Sequence, residues 1–235
     1  MTARETLILF ARPPLPGRAK TRLSPALGAG GAAGLYRAFL LDAAALVLRV
    51  REARPGLRLV AEWALEAGED PSLLPLCEWL PGPFLHRSQA GRDLGERMAG
   101  ALERALAGGG SAILIGSDFP DLPLEILLRA LEALAAPNPP GSAPFRAAIG
   151  PAQDGGYYLI GLDGPQPDIF AGIAWGTDEV FQATMQKLQG LKADATVLDR
   201  WRDVDSPEDL EELLARLSSA PEGVAVHTRA WLGRR

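Results

Sequence analysis

The stretch that decides the fold is SAILIGSDFPDLPLEILLRALEALAAP, residues 111–137. Its first six residues, Ser111–Gly116, are the most apolar strand-like run in the chain, which indicates a strand buried on both faces. After a short acidic turn, apolar residues recur at helical spacing from Pro123 onward. We therefore predict a central strand, a loop at its carboxyl end, and a helix that packs on the sheet.

Strand-like and helix-like patterns alternate on both sides of this unit. Before it we predict strands at 6–11, 57–65 and 84–88 and helices at about 29–50, 72–79 and 93–109. After it we predict a Pro/Gly-rich loop at 136–144, strands at 145–151, 157–162 and 195–199, and helices at about 178–188 and 207–219. This order predicts a mainly parallel α/β domain over 1–220, with 221–235 as a C-terminal tail that docks through Trp231.

The composition excludes several classes of protein. With 235 residues, 47% hydrophobic content and a net charge of −5, the chain has the profile of a globular protein and lacks the basic stripe of a nucleic-acid binder. Its single cysteine, Cys77, rules out an internal disulfide, and we expect it to be a buried thiol. His86 and His227 are isolated, which argues against a zinc site or a histidine-based triad.

No apolar run in the sequence approaches the ~20 residues that a membrane-spanning helix needs. The N-terminal run LILFA is too short for a signal peptide and follows Glu5. We therefore expect a cytoplasmic protein without a membrane partner, and the apolar tail is compatible with a homodimer.

A stiff cationic loop, ARPPLPGRAKTRLSP at 11–25, follows the first predicted strand. Its prolines fix the backbone, and Gly17 permits a close approach by a ligand. The charges of Arg18, Lys20 and Arg22 oppose the dipole of the following helix, and an anionic ligand removes that conflict. The loop therefore predicts a phosphate site at a strand end, where α/β proteins bind ligands; the alternative is a solvated basic turn.

A carboxylate, Asp118, follows the central strand in GSDFPDLP. Magnesium and manganese ions take one or two protein carboxylates together with phosphate oxygens of the substrate, so this position suits Mg²⁺ or Mn²⁺. The alternative is an aspartate that only caps the turn. The nearby Asp121 is more simply interpreted as the N-cap of the next helix.

Two further carboxylates, Asp203 and Asp205, precede the last long helix in RDVDSPEDL. Ser206 and Asp209 form the pattern of a capping box, which explains the helix start but not the two acids before it. Because Asp203 and Asp205 alternate on an extended segment, both face the same side, and we take Asp205 as the preferred second metal ligand. A solvated acidic turn is the alternative.

The sequence GPAQDGGYYLIG at 150–161 has the pattern of a hairpin whose turn is Asp154-Gly155-Gly156. Tyr157 and Tyr158 then point to opposite faces, so one can enter the core while the other lines a pocket. Three further candidates are Trp175 as a ring platform or a core anchor, Thr177 as an N-cap, and Gln89 with Arg92 and Arg97 near another strand end.

These motifs together resemble a family in the nucleotide-diphospho-sugar transferase superfamily, the glycosyltransferases described as radical-SAM/selenodomain-associated or arsenosugar-biosynthesis transferases. The similarity runs through nearly the whole chain and rests on six motifs in the family's order: FARPPLPGRAKTRL, QAGRDLGERM, GSDFPDLP, GPAQDGGYYLIGL, WGT and DVDSPEDL. Arg12 stands where many relatives carry lysine. The elements AKTRL and DVDSPEDL also resemble phospholactate guanylyltransferase and, more distantly, molybdopterin guanylyltransferase.

The resemblance implies a GT-A-like three-layer α/β/α sandwich with a mainly parallel mixed sheet. It also implies a nucleotide site in which Gly17, Arg18, Lys20 and Arg22 hold phosphate, Asp118 holds the metal, and Asp203 and Asp205 form the acidic pair. The complete set of candidates comprises catalytic Lys20, Asp118 and Asp154; phosphate-binding Arg12, Gly17, Arg18, Lys20, Arg22 and Gln89; metal-binding Asp118, Asp203 and Asp205; and an acceptor pocket at Gly155, Gly156, Tyr157 and Trp175.

The activity expected from this resemblance is metal-dependent glycosyl transfer from a nucleotide-sugar to a small-molecule acceptor. Nucleotidyl transfer from a nucleoside triphosphate, with release of pyrophosphate, is the alternative, because both reactions stabilise a phosphate leaving group electrostatically. A nucleotide-binding protein without turnover is the third hypothesis, against which the intact acidic and cationic motifs argue.

Overall fold

The computed structural model describes residues 4–136 and 143–234, so most of the predicted loop at 136–144 lies outside the described residues. In this part of the chain, seven strands form one sheet: β1 (Glu5–Ala11), β2 (Arg58–Trp63), β3 (Phe84–Ser88), β4 (Ser111–Ile115), β5 (Arg146–Pro151), β6 (Tyr157–Leu162) and β7 (Asp194–Val197). Its helices are α1 (Ser24–Ala53), α2 (Leu76–Trp79), α3 (Leu94–Leu106), α4 (Leu124–Ala135), α5 (Val180–Gly190), α6 (Pro207–Ser219) and α7 (Val226–Leu232). Short 3-10 turns cover Thr21–Leu23, Pro71–Leu73 and Pro167–Ile169.

The strand order is β3-β2-β1-β4-β6-β5-β7, which places β4 in the centre as predicted. β1 pairs in parallel with β2 and β4, β2 with β3, and β5 with β7. β6 pairs antiparallel with both β4 and β5. Six strands therefore run in one direction and β6 runs against them, which confirms the predicted mainly parallel mixed sheet.

Both faces of the sheet are covered by helices. Alternate residues of β1 enter different cores: Leu7 and Leu9 pack with α1, α2, α4 and α6, whereas Ile8 and Phe10 pack with α3 and α5. This division follows from the two-residue period of a strand, since consecutive side chains point to opposite faces. The result is the predicted three-layer α/β/α sandwich.

One helix bears on the expectation that the protein has no membrane-spanning segment. Within the described residues, Thr21–Ala53 is long and apolar enough to cross a bilayer by length and composition alone, with a mean hydropathy of 1.5 in its most apolar window. Arg37 and Asp42 interrupt the apolar residues of this helix. In the structure, 61% of that window is buried inside the fold, as is typical of a core helix.

The C-terminal segment docks on α1. The Asp42 carboxylate accepts hydrogen bonds from the backbone N–H of His227 (2.8 Å) and from the N–H (2.9 Å) and hydroxyl (2.6 Å) of Thr228. The indole of Trp231 covers Gly34, where an added Cβ would lie 2.8 Å from Nε1. A buried carboxylate at the start of α7 and an indole on a helical glycine thus attach α7 to the core.

Two expectations about single residues were wrong. Cys77 is exposed, because Leu76 and Trp79 supply the buried face of the short helix α2 and leave the thiol on its outer side. Thr177 is not the N-cap of α5, which begins after Glu179; the Thr177 hydroxyl instead donates to the carbonyl of Ala174 at 2.9 Å.

Of the N-caps predicted for α4 and α6, the first is wrong and the second is confirmed. Asp121 does not cap α4, since it is buried and accepts hydrogen bonds from Arg216 Nε (2.7 Å) and Trp201 Nε1 (3.2 Å). It therefore joins the loop after β4 to α6. The capping box of Ser206 and Asp209 at the start of α6 is confirmed.

The hairpin between β5 and β6 is built around Gly155. Its φ of +89° lies in the left-handed region, and an added Cβ would lie 2.1 Å from the backbone oxygen of Asp178. The Gly155 carbonyl also accepts from the N–H of Phe181 at 2.8 Å. These contacts fix the turn against the start of α5.

We expect Gly155→Ala to lower the free energy of unfolding by about 2–4 kcal/mol, because it combines backbone strain with a clash against main-chain atoms. Thermal and urea unfolding would measure the loss. Gly164→Ala is the matched control, since an added Cβ there meets nothing within 4 Å. Equal stability of the two variants would contradict this account of the turn.

Candidate functional site

A cavity of about 590 Å³ lies along the sheet edge where β1, β2, β4 and β5 end and β6 begins. Arg12 follows β1, Asp118 follows β4, and Tyr157 opens β6, and all three line this cavity. The position agrees with the rule that ligands bind at the carboxyl ends of strands in open α/β sheets.

Beside the cavity, the ammonium of Lys20 joins two carboxylates. Lys20 Nζ lies 2.5 Å from Oδ1 of Asp118 and 2.5 Å from Oδ1 of Asp205. The Lys20 side chain is only 3% exposed, whereas the two carboxylates are 39% and 44% exposed. Lys20 is not among the cavity-lining residues, and its Nζ lies 5.8 Å from the ring centroids of both Tyr36 and Phe39. The ammonium is therefore buried among two carboxylates and two aromatic rings.

The environment of Lys20 keeps it charged. Burial alone would lower the pKa of its ammonium, but the negative charges of Asp118 and Asp205 outweigh burial and raise that pKa above its ordinary value. Lys20 also has a left-handed backbone, with φ of 50° and ψ of 43°, which is uncommon for a residue other than glycine. A strained conformation at this position is consistent with a functional constraint.

Only some of the predicted phosphate-binding cations line the cavity. Arg12 and Arg22 are exposed and line the cavity. Arg18 instead forms a bidentate pair with Glu69 (2.6 and 2.8 Å) and a 3.1 Å pair with Glu66. Gly17 has a φ of +77° and does not line the cavity. The left-handed residues at positions 17 and 20 turn successive side chains in different directions, which a sequence pattern alone does not reveal.

The two acidic loops lie side by side, as predicted. The N–H of Val204 donates to the carbonyl of Asp118 at 3.1 Å, so the segment 203–205 follows the end of β4. Burial raises the pKa of the Asp203 carboxyl to about 6, and the nearby negative charges of Asp154 and Asp205 add to that rise. The cavity therefore concentrates negative charge that its own residues do not fully neutralise.

Replacing Asp203 with asparagine is expected to stabilise the protein at neutral pH. Asp203 has a pKa near 3.8 when unfolded and about 6 when folded, so the folded state holds the proton more tightly between these values. This residue's contribution to the free energy of unfolding is therefore complete below pH 4 and lost as pH rises through 6. Asp203→Asn should raise the Tm by a few degrees at pH 7 and by less at pH 5, in thermal melts at both pH values; a lower Tm at pH 7 would contradict this.

The carboxylate oxygens of the site suit a hard divalent cation whose other ligands would be oxygen atoms of a substrate. Within residues 4–136 and 143–234, no group of three or more His, Cys, Asp or Glu side chains is placed to hold a metal ion. Asp118 and Asp205 converge on Lys20, however, and both side chains are partly exposed. Two carboxylates plus phosphate oxygens are a typical arrangement for Mg²⁺, so these two residues would hold the ion, whereas the predicted ligand Asp203 does not join them in such a group.

The predicted acceptor residues come together at the β6 side of the cavity. Asp154, Gly156, Tyr157 and Trp175 line it, whereas Gly155 supports the turn from behind. The Asp154 Oδ1 accepts from the N–H of Gly156 at 2.9 Å, as in an Asx turn.

The two consecutive tyrosines face opposite sides of the sheet, as predicted. Tyr158 is buried and donates to the carbonyl of Asp199 at 2.7 Å. Tyr157 packs on the other face, where its hydroxyl lies 3.9 Å from Sδ of Met98. Trp175 meets the Tyr157 ring edge-on, with centroids 6.4 Å apart.

Gln89 and Arg97 also line the cavity, and both are held by backbone carbonyls. Gln89 Nε2 donates to the carbonyl of Glu62 at 2.9 Å, and Arg97 Nε donates to that of Gly91 at 3.2 Å. Arg92 points elsewhere and pairs with Glu96 on the exposed first turn of α3.

The sequence analysis missed a pair of hydroxyl groups on two buried residues that line the cavity, Tyr36 and Ser117. The Tyr36 hydroxyl lies 2.7 Å from the Ser117 hydroxyl and accepts from the N–H of Arg12 at 3.0 Å. Burial raises the pKa of Tyr36 to about 12, with a further rise from the charge of Asp118. These bonds tie α1 to the ends of β1 and β4. The only available signal was a tyrosine within an otherwise Ala/Leu-rich helix.

Comparisons with known proteins agree with this fold. A profile of the family described as "Uncharacterized protein conserved in bacteria (DUF2064)" matches residues 49–177. A crystal structure of a "putative nucleotide-diphospho-sugar transferase" from Desulfovibrio desulfuricans G20 is 34% identical, with a TM-score of 0.83 over 99% of this chain and 95% of that one. No protein of curated function matches the sequence significantly.

More distant structures share the fold alone. One is 4-diphosphocytidyl-2C-methyl-D-erythritol synthase from Anaerococcus prevotii DSM 20548, at 10% identity and a TM-score of 0.52 over 92% of this chain and 96% of that one. Another is CMP:2-keto-3-deoxy-manno-octonic acid synthetase complexed with CTP, at 11% identity and a TM-score of 0.51 over 92% and 99%. These matches confirm the predicted GT-A-like architecture.

Proposed function

We propose, from the premise that this chain belongs to the bacterial DUF2064 family and to the nucleotide-diphospho-sugar transferase superfamily, that it is a metal-dependent glycosyltransferase. Its donor would be a nucleotide-diphospho-sugar and its acceptor a small molecule with a hydroxyl group. The description of the 34% identical relative supports this donor class.

The observation that carries the proposal is the order of chemical groups along the cavity. Strand order β1-β4-β6-β5 places the cation Arg12 first, Asp118 next, then Tyr157 and finally Asp154 in the β5–β6 turn. Arg12 and Arg22 suit the diphosphate of a donor. The carboxylates at the middle suit a metal ion, and the carboxylate and rings at the far end suit a sugar and an acceptor.

In this arrangement each residue has a defined role in glycosyl transfer. The bond between the sugar's anomeric carbon and the diphosphate oxygen breaks, and the electron pair leaves with the nucleoside diphosphate. Arg12 and Arg22 stabilise that leaving group. Asp118 and Asp205 would hold Mg²⁺ or Mn²⁺, which adds positive charge for the same purpose when bound.

Asp154 is the proposed general base. Its Oδ1 is occupied by the N–H of Gly156, which leaves Oδ2 to take the proton of the acceptor hydroxyl as the new bond to the anomeric carbon forms. Lys20 binds no phosphate in this scheme, because its side chain is buried behind Asp118 and Asp205. It serves as a positioning residue.

Nucleotidyl transfer remains the second candidate, since the same cations and carboxylates suit a triphosphate whose leaving group is pyrophosphate. A calorimetric panel distinguishes the two reactions: nucleoside triphosphates, nucleoside diphosphates and nucleotide-sugars, each with and without Mg²⁺ or Mn²⁺. Metal-dependent preference for a nucleotide-sugar supports glycosyl transfer. Preference for a triphosphate supports the alternative, and no binding of any nucleotide contradicts both.

A further inference from the structure

The cavity end beside β6, here called the acceptor end, is formed by Leu94, Met98, Asp154, Tyr157, Trp175 and Asp178. It combines apolar and aromatic side chains with two exposed carboxylates. The proposed function assigns an acceptor to this end but does not specify the acceptor's charge. The charge that an acceptor should carry follows from the charges of the side chains around this end of the cavity.

The aromatic wall has a fixed shape. The Trp175 indole lies against Gly95 of α3, where an added Cβ would be 2.6 Å from Nε1. Its other neighbour is the edge of Tyr157, at an interplanar angle of 78°. A ring held between a helix and a second ring loses little conformational entropy when a ligand packs on it. Such a surface suits the apolar C–H face of a sugar or a similar ring.

The charged groups at the acceptor end are mainly carboxylates. Asp154 and the exposed Asp178 line this end, whereas Arg12 and Arg22 come from the β1–α1 side. The backbone of Asp154 lies two to three strands from β1, or about 10–14 Å along the sheet edge. Arg97 on α3 also lines the cavity, with its Nε donating to the Gly91 carbonyl, so it is one cation facing two carboxylates among the described residues of this end.

Resting on the proposed glycosyl transfer, we infer that the acceptor is an uncharged hydroxylated molecule, such as a sugar or polyol, and not a phosphorylated one. Carboxylates accept hydrogen bonds from hydroxyl groups and repel a phosphate dianion. At this end the carboxylates of Asp154 and Asp178 outnumber the one described cation, Arg97, so a phosphate dianion meets a net negative charge. The charge of this end therefore selects against phosphorylated acceptors.

The test uses matched pairs of compounds: glucose and glucose 1-phosphate, glycerol and glycerol 3-phosphate, and inositol and inositol 1-phosphate. Saturation-transfer NMR measures their binding to the full chain in the presence of Mg²⁺ and the nucleoside diphosphate that binds in the calorimetric panel. We expect at least one neutral compound to bind and its phosphorylated partner to bind at least about tenfold more weakly.

A charge reversal provides the control. Asp178→Lys should strengthen binding of the phosphorylated compounds by about tenfold, because it places a cation at the acceptor end. Glu179→Lys makes the same change on the next exposed residue, which does not line the cavity, and should have little effect. Equal or tighter binding of the phosphorylated partners by the unmodified protein overturns the inference. So does the absence of binding by every compound when the nucleotide binds, whereas failure of the nucleotide itself contradicts the proposed function.

Discussion

Replacing Lys20 with methionine should reduce metal-dependent nucleotide binding by at least about 100-fold, although Lys20 does not line the cavity. The ammonium holds Oδ1 of Asp118 and of Asp205, each at 2.5 Å, so its loss leaves two carboxylates that repel each other. They would separate or take up a proton, and either change removes the paired oxygen donors. Calorimetry with Mg²⁺ and the best-binding nucleotide measures the effect.

The same variant should be less stable and should gain less stability from metal ions. We expect Lys20→Met to lose about 1–3 kcal/mol of stability, less than the cost of breaking a fully buried pair, because both carboxylates are partly exposed. Because the variant no longer holds the two oxygen donors together, added Mn²⁺ should raise its Tm by less than it raises the Tm of the unmodified protein.

Arg18→Met is the matched control for Lys20→Met, since both remove a cation from the same loop. Arg18 pairs with Glu66 and Glu69 outside the cavity, and such partly exposed pairs contribute about 0–1 kcal/mol. Nucleotide binding should be nearly unchanged in this variant. Loss of binding in Arg18→Met with retention in Lys20→Met would show that the structural assignment of the two cations is reversed.

Most of the fold could be predicted because the signals are local. The apolar run at β4, the helical spacing in α4 and the capping box at Ser206 each specify one element within a few residues. The reversed direction of β6 was also accessible from the Gly-Gly turn before it. What the local pattern did not reveal was the role of Asp121, since its partners Trp201 and Arg216 come from distant parts of the chain.

The site was predicted less completely than the fold, because the sequence does not show in which direction each side chain points. Asp118, Asp154 and Tyr157, each beside the end or the start of a strand, line one cavity in the structure. The sequence could not indicate which way each cation of the 11–25 loop points, because that depends on left-handed residues at Gly17 and Lys20. Charge and spacing therefore identify the loop, whereas backbone conformation decides which side chains reach a ligand.

Asp118→Asn and Asp205→Asn should each reduce metal-dependent nucleotide binding by at least about 100-fold, while any metal-independent binding remains. The substitution keeps the shape of the side chain and one oxygen for Lys20, but it removes the negative charge that a divalent cation requires. Titrations with and without Mg²⁺, at constant ionic strength, separate the two components of binding. Asp199→Asn is the control, because Asp199 is an exposed carboxylate paired with Arg129 outside the cavity.

The double variant Asp118→Asn/Asp205→Asn tests whether both carboxylates serve the same ion. If they do, the first substitution already removes the ion, and the second should weaken binding by no more than about threefold further. If each carboxylate acted independently on the nucleotide, the two losses would multiply. Since both oxygens converge on a single ammonium 2.5 Å away, we expect the non-additive result. Losses that multiply would contradict a shared metal site. They would not decide the role of Lys20, which the Lys20→Met variant tests separately.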